Sequence, residues 1–352
     1  MTAKAITQPV IALDVMGGDA GLADVLAAAE MASERYPALT FRLHGPEARI
    51  RAEMAQYARL SKSAVVVHTD DVVLGTDKPS QALRRSRTSS MGMAIQSVKD
   101  GQAHAAVSAG NTGALMAMAL FALRTMEGID RPALAALLPT LKNDSVVLDL
   151  GANTECDAEN LVQFAVMGAA FARTVLGLQK PRVALLNIGE EELKGTDELK
   201  EAAGLLRGAD SLPMHFEGFV EGDKIGQGNV DVIVTDGFSG NIALKTVEGT
   251  GKLVSGLLAN AFRTSWLSRL GYLLSSGALK ALRAHLDPNA HNGAVFLGLN
   301  GLVVKSHGSA NVRGLANAIG VAHDLIVDNV GDRIAEDLAN FRAHRPTVAP
   351  AA

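Results

Sequence analysis

Six times the chain drives an apolar, β-branched run into a loop of small residues and out again into a helical pattern. The junctions are IALDVMGGDAG (Ile11–Gly21), AAVSAGNTG (Ala105–Gly113), VVLDLGANT (Val146–Thr154), VALLNIGEE (Val183–Glu191), VIVTDGFSGN (Val232–Asn241) and VVKSHGSAN (Val303–Asn311). Strands and helices in alternation predict an α/β fold, a mostly parallel sheet covered by helices on both faces. In such a sheet the loops leave the carboxyl ends of the strands, where open α/β folds bind ligands. Glycine lets backbone N–H groups come close to a ligand, and a following helix N-terminus favours an anion. The expectation is one cleft for a small anion, walled by several of these loops.

The pattern predicts strands near 9–15, 39–44, 64–68, 104–109, 133–138, 145–150, 182–188, 213–217, 231–236 and 301–306. Helices are expected near 21–35, 46–60, 86–99, 111–126, 157–177, 195–207, 240–262, 265–285, 311–327 and 330–343. Leu138 to Val146, two apolar runs around Lys142-Asn143-Asp144, reads as an antiparallel hairpin. No Ser/Pro/Gly-rich linker divides the chain, so 9–344 is expected to be a single domain between disordered tails at 1–8 and 345–352. Ala105–Leu123 is uncharged, but Ser108, Gly110, Asn111, Thr112 and Gly113 break it into strand, loop and helix, so it predicts a buried βα unit and not a membrane span. The N-terminal MTAKAITQP has no apolar segment of signal-peptide type.

Composition narrows the chemistry. Thirty-three basic against 37 acidic residues leave a net charge of −4, which is no footprint for nucleic acid. The single cysteine, Cys156, excludes an intramolecular disulfide and a cysteine-based zinc site, and suits a reducing cytoplasm. No histidine is near it in sequence, so an inert thiol is expected. None of the standard phosphate or nucleophile fingerprints occurs: MGGDAG is not GxGxxG, and neither GxxxxGK[ST] nor GxSxG is found.

What the loops do carry is short donors and acceptors: Asp14, Asp19, Ser108, Asn111, Thr112, Asn153, Asn187, Ser239, Asn241 and His307. Such groups suit a phosphate or a reacting carbonyl; the alternative for any one loop is that its glycines only turn the chain. Lys194, in GEEELKGTDELKEA, falls at the entrance of a helix expected from about Gly195. A cation there opposes the helix dipole unless an anion sits between the two positives; otherwise it is a solvated lysine. Arg84, Arg85 and Arg87 lie ahead of another helix, as a solvated turn or as a dock for phosphate or an acidic partner. His307 is a candidate by its place in a strand-end loop, or a histidine that merely makes hydrogen bonds.

From Gly249 to Leu286 there is no acidic residue, while Lys252, Arg263, Arg269, Lys280 and Arg283 are basic. Leucines recur near helical spacing around Trp266, the only tryptophan, with Gly271 and Gly277 splitting the pattern. Amphipathic helices of this kind fit the surface of an anionic bilayer; a subunit interface would use the same face.

Taken together, these segments resemble the bacterial PlsX family, the acyl-acyl-carrier-protein:phosphate acyltransferases. The matching stretches are IALDVMGGDAG, KPSQALRRSRTSSM, AVSAGNTGALMA, RPALAALLPT, LDLGANTECDAENLVQFAVMG, LLNIGEEELKGTDELKEA, FEGFVEGDKIGQGNVDVIVTDGFSGNIALKTVEG and GLNGLVVKSHGSAN, in order from about residue 9 to 327. The resemblance implies a homodimeric three-layer α/β/α sandwich, related in fold to isopropylmalate dehydrogenases and phosphotransacetylases. It implies transfer of a long fatty acyl group from acyl carrier protein to inorganic phosphate, giving acyl phosphate for a downstream membrane acyltransferase of phospholipid synthesis. It implies no cofactor, neither nicotinamide nor metal, and a cytoplasmic protein in peripheral contact with the inner face of the cell membrane.

On that reading Lys194 positions phosphate and Asn241 orients phosphate or the carbonyl, with Ser239 and Gly240 beside it. Asp14, Gly17, Gly18 and Asp19 form one wall, Asn111 and Thr112 another, with Asn153 and His307 as further contacts. Arg84, Arg85 and Arg87, or the basic residues of 263–283, meet the acidic carrier. Asn289-Ala-His-Asn-Gly293 departs from the Tyr-Gly-Gly-like approach expected in relatives, which would bear on acyl-chain or carrier contacts. The alternatives are a phosphotransacetylase-like enzyme for short acyl-coenzyme A, a dehydrogenase of the isopropylmalate type, or a membrane-bound scaffold without turnover.

Overall fold

The computed structural model describes residues 6–344; of the tails expected at 1–8 and 345–352, residues 1–5 and 345–352 lie outside them, and Ile6 packs against the core. The strands are β1 (Val10–Asp14), β2 (Thr40–Gly45), β3 (Ala64–His68), β4 (Ala105–Ser108), β5 (Ala133–Leu138), β6 (Ser145–Leu148), β7 (Arg182–Asn187), β8 (His215–Glu221), β9 (Val232–Val234), β10 (Ala294–Leu297) and β11 (Leu302–Lys305). They form one sheet in the order β3-β2-β1-β4-β11-β10-β5-β6-β9-β7-β8. Alternate residues of each strand feed opposite cores, as a sheet buried on both faces demands. Ile11 and Leu13 pack in one core and Ala12 in the other; Val232 and Val234 in one, Ile233 in the other. The layers are thus helix, sheet, helix.

Helix Ala158–Val175 is the backbone of the first core, with fourteen buried residues and a reciprocal cap between Asp157 and Asn160. Helices Ser90–Lys99 and Thr112–Leu123 cover the second, through Met91, Ile95, Leu115 and Met118 among others. Several expected helices are shorter or split. Residues 46–60 give Glu47–Met54 and a last turn, Leu60–Ser63, and 86–99 starts only at Ser90, behind a separate turn Pro79–Leu83. The expected 265–285 helix breaks at Ser275 into Trp266–Leu274 and Ser276–His285.

The sheet is not parallel throughout. β5 and β6 form the expected antiparallel hairpin, Ala136 opposite Val147 and Leu138 opposite Ser145. β10, which hydrophobic patterning did not suggest, is antiparallel to both β11 and β5. These insertions reverse the chain direction, so β1, β4 and β11 run one way and β6, β9 and β7 the other. The six glycine-rich loops therefore leave the sheet as two groups of three, where a wholly parallel sheet would have gathered all six at one edge. From β1 to β9 the sheet crosses β4, β11, β10, β5 and β6; at about 20–25° of twist per strand the total is about 120–150°. Lys245, on the helix that leaves β9, nonetheless lies near enough to act on Lys305 and His307 of the first group.

The long helix Gly237–Arg263 spans the gap. It leaves β9 against the β6 loop, where Gly237 N–H donates to the Asn153 carbonyl at 2.7 Å. A Cβ on Gly240 would stand 1.9 Å from the Asp149 carbonyl oxygen, so only glycine permits this approach. Gly240→Ala is expected to cost about 1–3 kcal/mol, the usual range for overpacking, read as a lower urea midpoint at unchanged slope.

Candidate active site

The first group of loops, after β1, β4 and β11, is knitted together by buried polar atoms. Asp14 is 2% exposed; it accepts from Ser108 Oγ at 2.7 Å and from Met16 N–H at 3.3 Å. Ser108 Oγ in turn accepts from Gly110 N–H. A side chain on Gly17 would strike Asp14 Oδ2 at 2.4 Å, and Gly18 has a φ of +89° and lies against Ala109 and Gly308. Asp19 N–H completes the junction on the Gly308 carbonyl. Asp14, Gly17, Gly18 and Asp19 thus lie together in one packed junction with the β4 and β11 loops.

Asn111 and Thr112 adjoin that junction, but the Asn111 side chain is fully employed. Its Oδ1 caps helix Thr112–Leu123 at Ala114 N–H, and its Nδ2 donates to the Gly75 and Asp77 carbonyls. His307 is open to solvent, its Nδ1 engaged by Ser309. Behind it, Asn292 donates to Ser306 Oγ at 2.7 Å and accepts from His307 N–H at 2.8 Å. The divergent Asn289–Gly293 segment therefore buttresses the β11 loop.

A residue that sequence reasoning passed over sits at the centre of this group. Lys305 is 8% exposed and its Nζ donates to the carbonyls of Ala109, at 3.1 Å, and Ser306. Burial pulls its pKa down to about 8, with Asp14 and Asp19 pulling the other way. Burial likewise raises Asp14. The signal was present in the sequence: Lys305 follows Val303 and Val304 in a strand with both faces covered, and alternation puts it on the face of Val303.

The second group leaves β6, β9 and β7. Asp149 is fully buried and its carboxylate accepts from the N–H groups of Leu134, Gly151, Ala152 and Asn153 and from Asn153 Nδ2. Asn153 also donates to the Pro132 carbonyl. It faces inward and orders the turn, which removes it from the expected substrate contacts. Asn241 donates from Nδ2 to the Leu150 carbonyl at 3.0 Å. The Ser239 N–H is held by the helix-capping Asp236, while its hydroxyl has no partner among the described residues. Cys156 adjoins this loop; burial first, then Asp149 and Asp236, push its thiol up to about 12, which rules out a thiolate nucleophile at neutral pH.

Lys194 lies in the β7 loop, next to the β9 loop that carries Asn241, because β7 and β9 pair in parallel. Asn187 Nδ2 holds the Lys194 carbonyl at 3.1 Å. The helix begins at Asp197 with Thr196 as its cap, so Lys194 stands two residues before the cap. Two acidic neighbours are taken elsewhere, Glu190 by Lys224 at 2.9 Å and Glu192 by Arg207 at 3.0 Å, while the Glu191 carboxylate lies beside the Lys194 side chain at Gly189. Lys194 Nζ has no ion-pair or hydrogen-bond partner among the described residues, and the side chain is exposed. An exposed, unpaired ammonium on one loop and an amide on the next can grip an anion between them.

The long helix relates the groups. Lys245 acts on both Lys305 and His307, and Glu248 and Lys252 on His307. Asn241 and Glu248 are about 10 Å apart along the helix axis. One element therefore carries Asn241 at one end and faces the first group one to two turns later. The three arginines divide: Arg85 is locked to Asp71 and Asp77, which withdraws it from the expected docking surface, while Arg84 and Arg87 are exposed. Among the described residues no cluster of three His, Cys, Asp or Glu side chains gathers as a metal would need.

This α/β sandwich is the fold of solved phosphotransacetylases, from Streptococcus pyogenes (TM-score 0.63, 16% identity, 91% of this chain and 94% of that one) and Staphylococcus aureus EutD (0.59, 18%, 90% and 94%). A family model described as "Fatty acid synthesis protein" matches residues 10–333. The phosphate acyltransferase of Erythrobacter litoralis is 58% identical over 334 residues, 95% of this chain and 94% of that protein. That of Rhodospirillum centenum is 56% identical over 333 residues, again 95% and 94%. The chain belongs to this phosphate acyltransferase (PlsX) family.

Lys305 makes stability depend on pH. Its folded pKa of about 8 lies below the ordinary 10.5, so the unfolded chain holds more protons between these values and stability rises with pH across them. Lys305→Met should lack that rise. Urea titrations at pH 7 and pH 10 are expected to show the wild type gaining on the variant by up to about 3 kcal/mol.

Proposed function

We propose that the protein transfers a long-chain acyl group from the thioester of acyl carrier protein to inorganic phosphate. Phosphate dianion is already a nucleophile. Its oxygen attacks the thioester carbonyl, the C–S bond breaks, and the thiolate takes the phosphate proton to leave as thiol, giving acyl phosphate. A thiol pKa of about 8.5 makes that departure easy, so no protein nucleophile is needed, in keeping with the raised Cys156 thiol. The protein's task is to hold the reactants in contact and stabilise the oxyanion.

The observation that carries the reading is the unpaired Lys194 ammonium on the loop beside Asn241 in a chain of this family. Lys194 binds phosphate and offsets developing charge; Asn241, with Ser239 and the backbone at Gly240, orients phosphate or the carbonyl oxygen. The wall of Asp14, Gly17, Gly18 and Asp19, with Thr112 and His307, closes the far side. Arg84 and Arg87, or the cations of 263–283, meet the acidic carrier.

Helices Trp266–Leu274 and Ser276–His285 have no buried residue, and Trp266 and Leu274 are 73% and 81% exposed. No helix among the described residues is long and apolar enough to cross a membrane. These helices serve a homodimer and a peripheral seat on anionic lipid at the inner face of the cell membrane, where acyl phosphate passes to a membrane acyltransferase. The fold shared with phosphotransacetylases favours one other reading, a short acyl-coenzyme A as donor.

A paired assay decides between them. With phosphate, palmitoyl-carrier protein is expected to release thiol and acetyl-coenzyme A is not; the reverse would overturn the assignment. Lys194→Ala is expected to lower acyl-phosphate formation by about 10²–10³, the usual cost of one oxyanion contact, with an unchanged unfolding midpoint. Leu270→Glu with Leu274→Glu should weaken sedimentation with phosphatidylglycerol vesicles while soluble turnover stays at the wild-type rate.

A further inference from the structure

The first turns of the long helix roof an apolar groove beside Asn241. Its floor is the β5–β6 hairpin, Leu138 among its residues, and Leu150 two residues beyond β6; Ile225 closes one side, and Ala243, Leu244 and Val247 close the top. All nine residues that line it are apolar. The groove is continuous with the proposed reaction loops, because Leu150, whose carbonyl receives Asn241 Nδ2, is also part of its lining. Leu244 lies one turn along the helix from Asn241 and about 60° around it, and Val247 about 120° around. The apolar roof thus begins beside the reacting end and winds away from it, with Asn241 to Val247 spanning about 9 Å along the axis. Val247 is 42% exposed, so the far end is open.

We propose that this groove holds the first carbons of the acyl chain, in the thioester and in the acyl phosphate made from it, and so selects long chains over short ones. This rests on Asn241 and its loop being the reacting end. The lining suits that occupant. It offers no polar side chain to a headgroup or a peptide, and an apolar hollow gains nothing from water. Each methylene moved from water into it favours binding by about fourfold. A two-carbon acyl group ends before Leu244 and gains none of this. The tail of a long chain passes Val247 and leaves by the open end.

The test compares butyryl- and palmitoyl-carrier protein as donors with phosphate, following thiol release, in wild type, Leu244→Trp and Leu244→Ala. Tryptophan fills the groove and alanine strips its roof. Both should lower the palmitoyl-to-butyryl ratio of kcat/KM by more than tenfold, since losing two methylene contacts at about fourfold each already exceeds that. Alanine, the smaller change, keeps the test alive should the tryptophan variant fail to fold. A wild type active on palmitoyl-carrier protein, with variants of unchanged ratio, overturns the groove and leaves the proposed function standing. An unchanged ratio together with a lower mass by light scattering would instead make the groove a seat for a second copy of the chain. A wild type silent on both donors overturns the proposed function, and the groove with it.

Discussion

The seat of one helix on one loop governs the functional half of this molecule. Asp149 gathers five N–H groups onto a carboxylate with no access to water. A buried charge is tolerable only when so fully bonded, so the loop after β6 has little freedom. Gly237 and Gly240 bring the helix down onto that loop, and Asn241 ties it at Leu150. The direction of the helix follows, and with it the position of Asn241, the apolar roof and the approach of Lys245 to the opposite group of loops.

The two groups differ in electrostatic character. Around β1, β4 and β11 the charges are internal: Asp14 and Lys305 are both buried, each pushed toward its neutral form. Around β7 the charge faces outward: Lys194 is exposed, while Glu190 and Glu192 are paired with Lys224 and Arg207. The first arrangement gives a stiff wall and the second an open cationic contact. Both arrangements suit the proposed transfer, a fixed wall on one side and an exposed cation for phosphate on the other.

Much of the architecture was legible because glycine, β-branched residues and helical periodicity are local signals. The β5–β6 hairpin and ten of the strands announced themselves in this way. The reversal of the sheet did not. β10 is four residues, Ala294–Leu297, directly after a loop, too short to carry a period, and strand direction is a long-range property. Lys194 and Asn241 were legible as loop residues beside small neighbours. Lys305 was missed because burial is decided by what covers a strand, and Arg85 was misjudged because Asp71 and Asp77 lie on another loop. Asn153 looked like Asn241 in sequence; only the fold reveals that one side chain is buried on Asp149 while the other sits exposed with its Nδ2 on the Leu150 carbonyl.

The long helix has 27 residues, yet Gly237 and Gly240 are its only buried positions. Mechanically it is a cantilever about 40 Å in length, clamped at the root and met further out by the two short helices that follow it, Phe262 packing edge-on to Tyr272. A load on such a beam produces its greatest bending moment at the clamp. Whatever surface receives the distal apolar helices therefore exerts its torque on the turn that bears Asn241, and firm lodging at the tip damps motion at the root.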